Sequence, residues 1–168
     1  MRYLILTAAM LFSSLSFGAS IDPEDTNLSW RNGPTRDSVY KMTDHPGKVH
    51  VFEALKNSCG WCHKNAPLVD EMAVSYAEDE QVAFVDLSLD TSNSEIQRWL
   101  SRHTPSYPFT TDNGNVWSAL KQANGIPQTF VVDCNGTMVG GTVGYWGSTG
   151  GAKIKRFIAQ AKRVTCIN

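Results

Sequence analysis

The chain has 168 residues, 42% of them hydrophobic and 18% charged, with a formal net charge of −1 at neutral pH. That length suits one domain with short additions, and the composition is that of a globular protein rather than a disordered or fibrous one. The near-zero charge argues against a nucleic-acid partner held through phosphates, so a cluster such as Lys153-Lys155-Arg156 reads as the solvated face of a helix.

Met1-Arg2, the apolar run "YLILTAAMLFSSLSF" and the small residues of "SFGAS" have the layout of a secretory signal peptide, cut near Gly18 to Ser20. The run is short for a membrane span, which needs roughly 20 apolar residues. Residues 1–19 are read as a signal peptide, with no stable membrane insertion after cleavage. The mature protein is then expected across the inner membrane, in the periplasm, where disulfides persist.

Residues 20–48 are polar and rich in turns, with a possible hairpin of "LSW" and "SVYKM" around Asn32-Gly33-Pro34. The main domain is expected over 49–168. It starts on the strand "KVHVFEAL", whose Val49 and Val51 are β-branched. After Cys62 the period turns helical, with Val69, Met72, Ala73 and Tyr76 on one face. "VAFVDLSL" (82–89) is continuously apolar at its start and suits a buried strand.

Ser92-Asn93-Ser94-Glu95 reads as a capping box opening a helix that buries Ile96, Trp99 and Leu100. "SRHTPSYPFTTDNGN" reads as a loop, and "VWSALKQAN" as a helix closed by Gly125 in the left-handed conformation. "TFVVD" and "TMVGGTVGYW" form a hairpin signal around Asn135-Gly136. The last helix keeps Ile154, Phe157, Ile158 and Ala161 on one side. This order argues an α/β protein with a mixed sheet covered by helices.

The stretch "NSCGWCHKNAP" (57–67) carries the chemistry. Placed between a strand and a helix, Cys59 would sit at the helix N-terminus, where free N–H groups and the helix dipole favour a thiolate. Cys62, one turn on, could resolve a mixed disulfide. The same residues with His63 also fit the Cys-x-x-Cys-His pattern of c-type haem attachment. That alternative calls for a helical fold around the haem, against the buried strand just before Cys59, and it would consume both thiols. Without it, His63 is an exposed residue of the first helical turn. Zinc is not expected, because Cys134 and Cys166 stand apart rather than as a second close pair.

Two further features bear on the pair. Glu53, on the strand leading into it, could exchange a proton with Cys62 if buried beneath it. Pro67 would kink the cysteine-bearing helix, and Pro127 in "GIPQTF" stands where a cis peptide could form a tight turn.

From about Asn27 to Ala161, "CGWC", Pro67, "GIPQTF" and "DCNG" together resemble the TlpA-like group of thioredoxin-fold extracytoplasmic thiol–disulfide oxidoreductases. The resemblance implies a thioredoxin-like fold, a central mixed β-sheet flanked by helices, here with the N-terminal hairpin as an extension. It implies that Cys59 attacks and Cys62 resolves, with Glu53 as the acidic residue beneath them. Pro127 would hold an extended substrate segment, with Ile126 and Trp61 as its contacting neighbours. In that layout the turn holding Cys134 and the end of the last helix meet away from the active site, which places Cys134 near Cys166. A structural disulfide there would contribute on the order of 3 kcal/mol; a relay pair is the alternative.

The resemblance calls for no metal or organic cofactor. The implied partners are cysteine-containing protein substrates and a redox partner that regenerates the pair, and the protein is expected to be a monomer. A thioredoxin-like binding module or chaperone without turnover is the other reading. Ser58 departs from the aromatic residue common at that position. The dipeptide Gly60-Trp61 is unlike the best-known ones, and leaves the direction of electron flow open.

Overall fold

The computed structural model describes residues 18–35, 37–112 and 114–167. The expected signal peptide, up to residue 17, lies outside the described residues. The strands are β1 (Leu28–Trp30), β2 (Val39–Tyr40), β3 (Val49–Leu55), β4 (Val82–Ser88), β5 (Phe109–Thr111), β6 (Gln128–Val132) and β7 (Met138–Val143). The helices are α1 (Gly60–Ser75), α2 (Asn93–His103), α3 (Asn115–Leu120) and α4 (Gly150–Ala161). This is the thioredoxin-like α/β fold that the sequence implied.

One seven-stranded mixed sheet runs in the order β2-β1-β5-β4-β3-β6-β7. β3 lies at its heart, parallel to β4 and antiparallel to β6, and every residue of it is buried. A strand covered on both faces can be apolar throughout, which is why "VHVFEAL" shows no clean alternation. On one face, Val49 and Val51 pack with Val69, Met72, Ile154 and Ile158 of α1 and α4. On the other, Phe52 and Ala54 pack with Val116 and Leu120 of α3 and with Leu28, Tyr40 and Met42 of the N-terminal extension.

The extension is therefore not a detached arm. β1 pairs with β2 as a hairpin and also with β5, so β1 and β2 extend the main sheet. At the far end, Gly136 turns the β6–β7 hairpin with φ +82°, and a Cβ there would stand 2.0 Å from the carbonyl oxygen of Ile21. Only glycine tolerates both that backbone and that approach.

Three local expectations fail. The segment read as a loop, 101–115, contains β5, parallel to β4 and antiparallel to β1. A three-residue strand is too short to show a period, and its neighbours come from elsewhere in the chain. The helix read as closing on Gly125 ends at Leu120. Beyond it, the Gln128 side chain takes over the hydrogen bonding of the turn, accepting from Gln122 N and donating to Ala123 O and Gly125 O. Gly125 is not in the left-handed region. The capping box at Ser92 does not form either: Ser92 Oγ pairs with Ser94 Oγ, and Glu95 is bonded to Asn57 and Arg98.

Candidate functional site

Leaving the C-terminal end of β3, the chain crosses Lys56-Asn57-Ser58 and enters α1 with Cys59 as its N-cap residue. Cys59 keeps an extended backbone (φ −93°, ψ 104°), and its Sγ accepts from Cys62 N–H at 3.1 Å. A sulfur here meets the unpaired donors and the positive end of the helix dipole, which stabilise negative charge on it. The spacing places Cys62 one turn on, with the Cα atoms 5.2 Å apart and the two sulfurs joined as a disulfide. Exposure separates them: Cys59 is half-buried, whereas Cys62 is 1% exposed, packed with Leu55, Ala66, Ile96, Trp99 and Phe109.

Opposite the disulfide stands the loop before β6. Its Ile126-Pro127 peptide is cis, and Ile126 O lies 3.7 Å from Cys59 Sγ. Pro127 O accepts from Gly144 N at 2.8 Å, tying the loop to the end of β7. Tyr145 follows, and its ring centroid is 5.8 Å from that of Trp61, which is 56% exposed. Lys64 Nζ sits 4.3 Å from the Trp61 ring centroid. The sequence-derived residues Cys59, Cys62, Trp61, Ile126 and Pro127 thus meet at one end of the sheet, joined by Tyr145, which the sequence reading did not single out.

Beneath α1 is a buried polar network. Glu53 and Asp86 continue the inward rows Val49-Val51 and Val82-Phe84, and the two are register partners on β3 and β4. Glu53 Oε1 accepts from Asn65 Nδ2 at 2.7 Å, and Oε2 accepts from Thr129 Oγ1 at 2.5 Å. Trp146 closes the ring, donating from Nε1 to Thr129 Oγ1 and from its backbone N to Asn65 Oδ1. Burial raises the Glu53 pKa to about 7, against the opposing pull of the Thr129 and Asn65 hydrogen bonds. Asp86 is held well above the usual carboxylate range by burial first, then by the charges of Glu53 and Asp70.

Asn65, Thr129, Trp146 and Asp86 were missed by sequence reading. The position of Asn65, one turn after Cys62 on the buried helix face, was the available clue.

His63 does not occupy the exposed position expected of it. It is half-buried, stacked on Trp99 at 4.8 Å and bonded through both ring nitrogens. The reason is tertiary: α2 lies along this side of α1, bringing Trp99 and His103 against the ring.

Cys134 and Cys166 lie at the other end of the sheet, because β6 runs antiparallel to β3 and its Val132 pairs with His50. They form a second disulfide with Cα atoms 5.6 Å apart. Asn135 supports the same junction, donating to Thr165 O and accepting from Ile167 N. Among the described residues, no helix is long and apolar enough to cross a membrane, and no group of three or more His, Cys, Asp or Glu residues could hold a metal ion.

No family model matches the chain. It is similar to a Chlorobium tepidum protein described as a thiol:disulfide interchange protein DsbE, with a TM-score of 0.69 and 20% identity over 86% of this chain and 97% of that one. StoA from Bacillus subtilis superposes with a TM-score of 0.62 and 14% identity, over 78% of this chain and 93% of that one. At this identity the likeness establishes the thioredoxin-like fold. Protein disulfide isomerase-like 1-1 of Arabidopsis thaliana is 31% identical over 80 residues, which is 48% of this chain. The match spans about a sixth, 16%, of that plant protein's length.

Proposed function

We propose that this protein is a thiol–disulfide oxidoreductase that exchanges electrons with cysteines of partner proteins through Cys59 and Cys62. The observation that carries the reading is the asymmetry of the pair: an accessible sulfur at a helix N-terminus, disulfide-bonded to a buried one, facing the Ile126-Pro127 loop. The similarity to thiol:disulfide interchange proteins and to a protein disulfide isomerase supports it.

In the reducing direction, the Cys59 thiolate attacks one sulfur of a substrate disulfide, and the other leaves as a thiolate. Cys62 then loses its proton and attacks Cys59 Sγ, releasing the reduced substrate and re-forming the Cys59–Cys62 bond. Glu53 takes the Cys62 proton in this reading. Its pKa of about 7 makes it a competent acceptor and donor at neutral pH, and Asn65 holds it beneath the same helix. Trp61, Ile126 and Pro127 line the place where the substrate segment lies. The oxidising direction is the same sequence reversed.

No cofactor is needed for this chemistry. The leader at residues 1–19 supports work in the periplasm after cleavage, on protein substrates and with a separate partner that regenerates the pair. Cys134–Cys166 serves as the structural bond.

A Cys62→Ala variant tests the function, since it stalls exchange at the mixed disulfide. Covalent capture of cysteine-containing proteins that is lost in Cys59→Ser supports the reading. Equal capture by both variants overturns it. The equilibrium of the pair with glutathione gives the direction, a potential of about −120 mV marking an oxidant and about −270 mV a reductant.

A further inference from the structure

His63 and His103 form a coupled pair beside the disulfide. Asn57 O can only accept, so His63 Nε2, 2.7 Å away, carries hydrogen. The neutral His63 ring then has a bare Nδ1, which accepts from His103 Nε2, also at 2.7 Å. One added proton fits without breaking either bond, because it enters at His103 Nδ1. A second would set two N–H groups against each other. The pair is built to hold one positive charge.

Its surroundings balance that charge finely. Trp99 stacks on His63 at 4.8 Å and lies 4.4 Å from His103, and an indole face favours a cation. Glu95, bonded to Asn57 Nδ2, and Asp90, which accepts from Asn57 N, add negative charge. Opposing them, Arg102 Nη1 lies 3.3 Å from His63 Nε2, with Lys56 and Lys64 on the approach segment and α1. Burial first, then His63 and Arg102, lower the His103 pKa below its ordinary value. In the disulfide form His103 therefore leans to neutral at pH 7.

Trp99 belongs to the apolar cluster that holds Cys62 and against which Cys59 packs, and His63 N donates to Cys59 O at 3.2 Å, so a thiolate at Cys59 would form on the same helical turn as His63. We infer that His63 and His103 are a proton-accepting pair linked to the redox state of Cys59–Cys62, taking up one proton when the disulfide is reduced. The step balances: a dithiol donor gives two electrons and two protons and closes to its disulfide. One proton makes the Cys62 thiol and the other goes to His103, leaving Cys59 as the thiolate. Both histidines are positioning residues in this scheme, and the inference rests on the proposed redox function.

Titration of the imidazole carbon-bound protons by NMR, in the oxidised protein and with excess dithiothreitol, reads the linkage directly. The His103 midpoint is expected to rise by about one pH unit on reduction, the low end for an opposite charge nearby. Coincident midpoints overturn the inference. His103→Gln provides a second readout, because its amide can still donate to His63 Nδ1 but cannot hold the proton. Cys59 alkylation by iodoacetamide at pH 6 should slow about tenfold in this variant, the equivalent of one pKa unit. An unchanged rate shows a purely structural role. If the wild-type pair reacts with no protein disulfide, the functional reading falls as well; if it exchanges normally and the midpoints coincide, only the linkage falls.

Discussion

Asn65 Nδ2 on α1 donates to Glu53 Oε1 on β3 at 2.7 Å, so the helix that begins at Cys59 is hydrogen-bonded directly to a buried carboxyl. Gln in place of Glu53 still accepts from Asn65, while its amide donates to Thr129 Oγ1 and so reverses that one bond, and the proton site is removed. Glu53→Gln is expected to slow disulfide exchange at pH 7 by about a hundredfold, the low end of general acid–base contributions. It should also flatten the rate inflection near pH 7. Stopped-flow rates against a protein disulfide between pH 5 and 9 check both.

The same carboxyl ties stability to pH. Its folded pKa of about 7 lies above the ordinary value of 4.5, so the folded state favours the neutral form. The stability it contributes is full below the unfolded value and is lost as pH rises through about 7. Glu53→Gln should gain on the order of 3 kcal/mol relative to the wild type between pH 4 and pH 8, from the difference of the two pKa values. Urea midpoints at the two pH values measure this; a gap that does not change with pH contradicts it.

His50 works in the opposite direction. Buried on β3 with its ring stacked on Phe52, it has a pKa lowered to about 3, chiefly by burial and then by His45. Its folded pKa lies below the unfolded 6.5, so the stability of the neutral form is present above pH 6.5 and is lost as pH falls toward 3. His50→Leu is expected to lose less stability than the wild type between pH 7 and 4.5, by about 3 kcal/mol. Parallel acid shifts in both proteins would contradict this.

Cys134→Ser with Cys166→Ser should lower stability by about 2–4 kcal/mol. The glutathione equilibrium of Cys59–Cys62 should not move, because the two disulfides stand at opposite ends of the sheet. Mass mapping under mild reduction should find Cys59–Cys62 open first.

Trp61 and Tyr145 offer an exposed aromatic surface next to the accessible sulfur. Trp61→Ala is expected to slow exchange with protein disulfides by about tenfold, in line with losing 1–2 kcal/mol of aromatic contact. Exchange with dithiothreitol should be nearly unaffected. Equal slowing with both would point to the sulfurs rather than to substrate contact.

Much of this was readable along the chain because it depends on neighbours in sequence. Cys59 and Cys62 meet through the spacing of one helical turn, and the left-handed backbone of the β6–β7 turn is marked by Gly136 itself. The apolar rows of α1, α2 and α4 follow from the helical period, and "VHVFEAL" and "VAFVDLS" from their continuous burial. β5 was hidden because its three residues pair only with β4 and β1. The capping residues at Ser92 were misread because Glu95 has a better-placed partner in Asn57.

The sequence by itself therefore determined the local chemistry: a two-cysteine pair at a helix start, an acidic residue on the strand before it, and the order of the longer strands and helices. Tertiary structure decided what surrounds them. Burial beneath α1, not residue type, moves Glu53 to about 7, and Asn65, Thr129 and Trp146 come from three other segments to hold it. Packing of α2 on α1 turned His63 from a surface residue into half of a coupled pair with His103, forty positions away. Desolvation and long-range contact belong to the folded shape, and no window of sequence contains them.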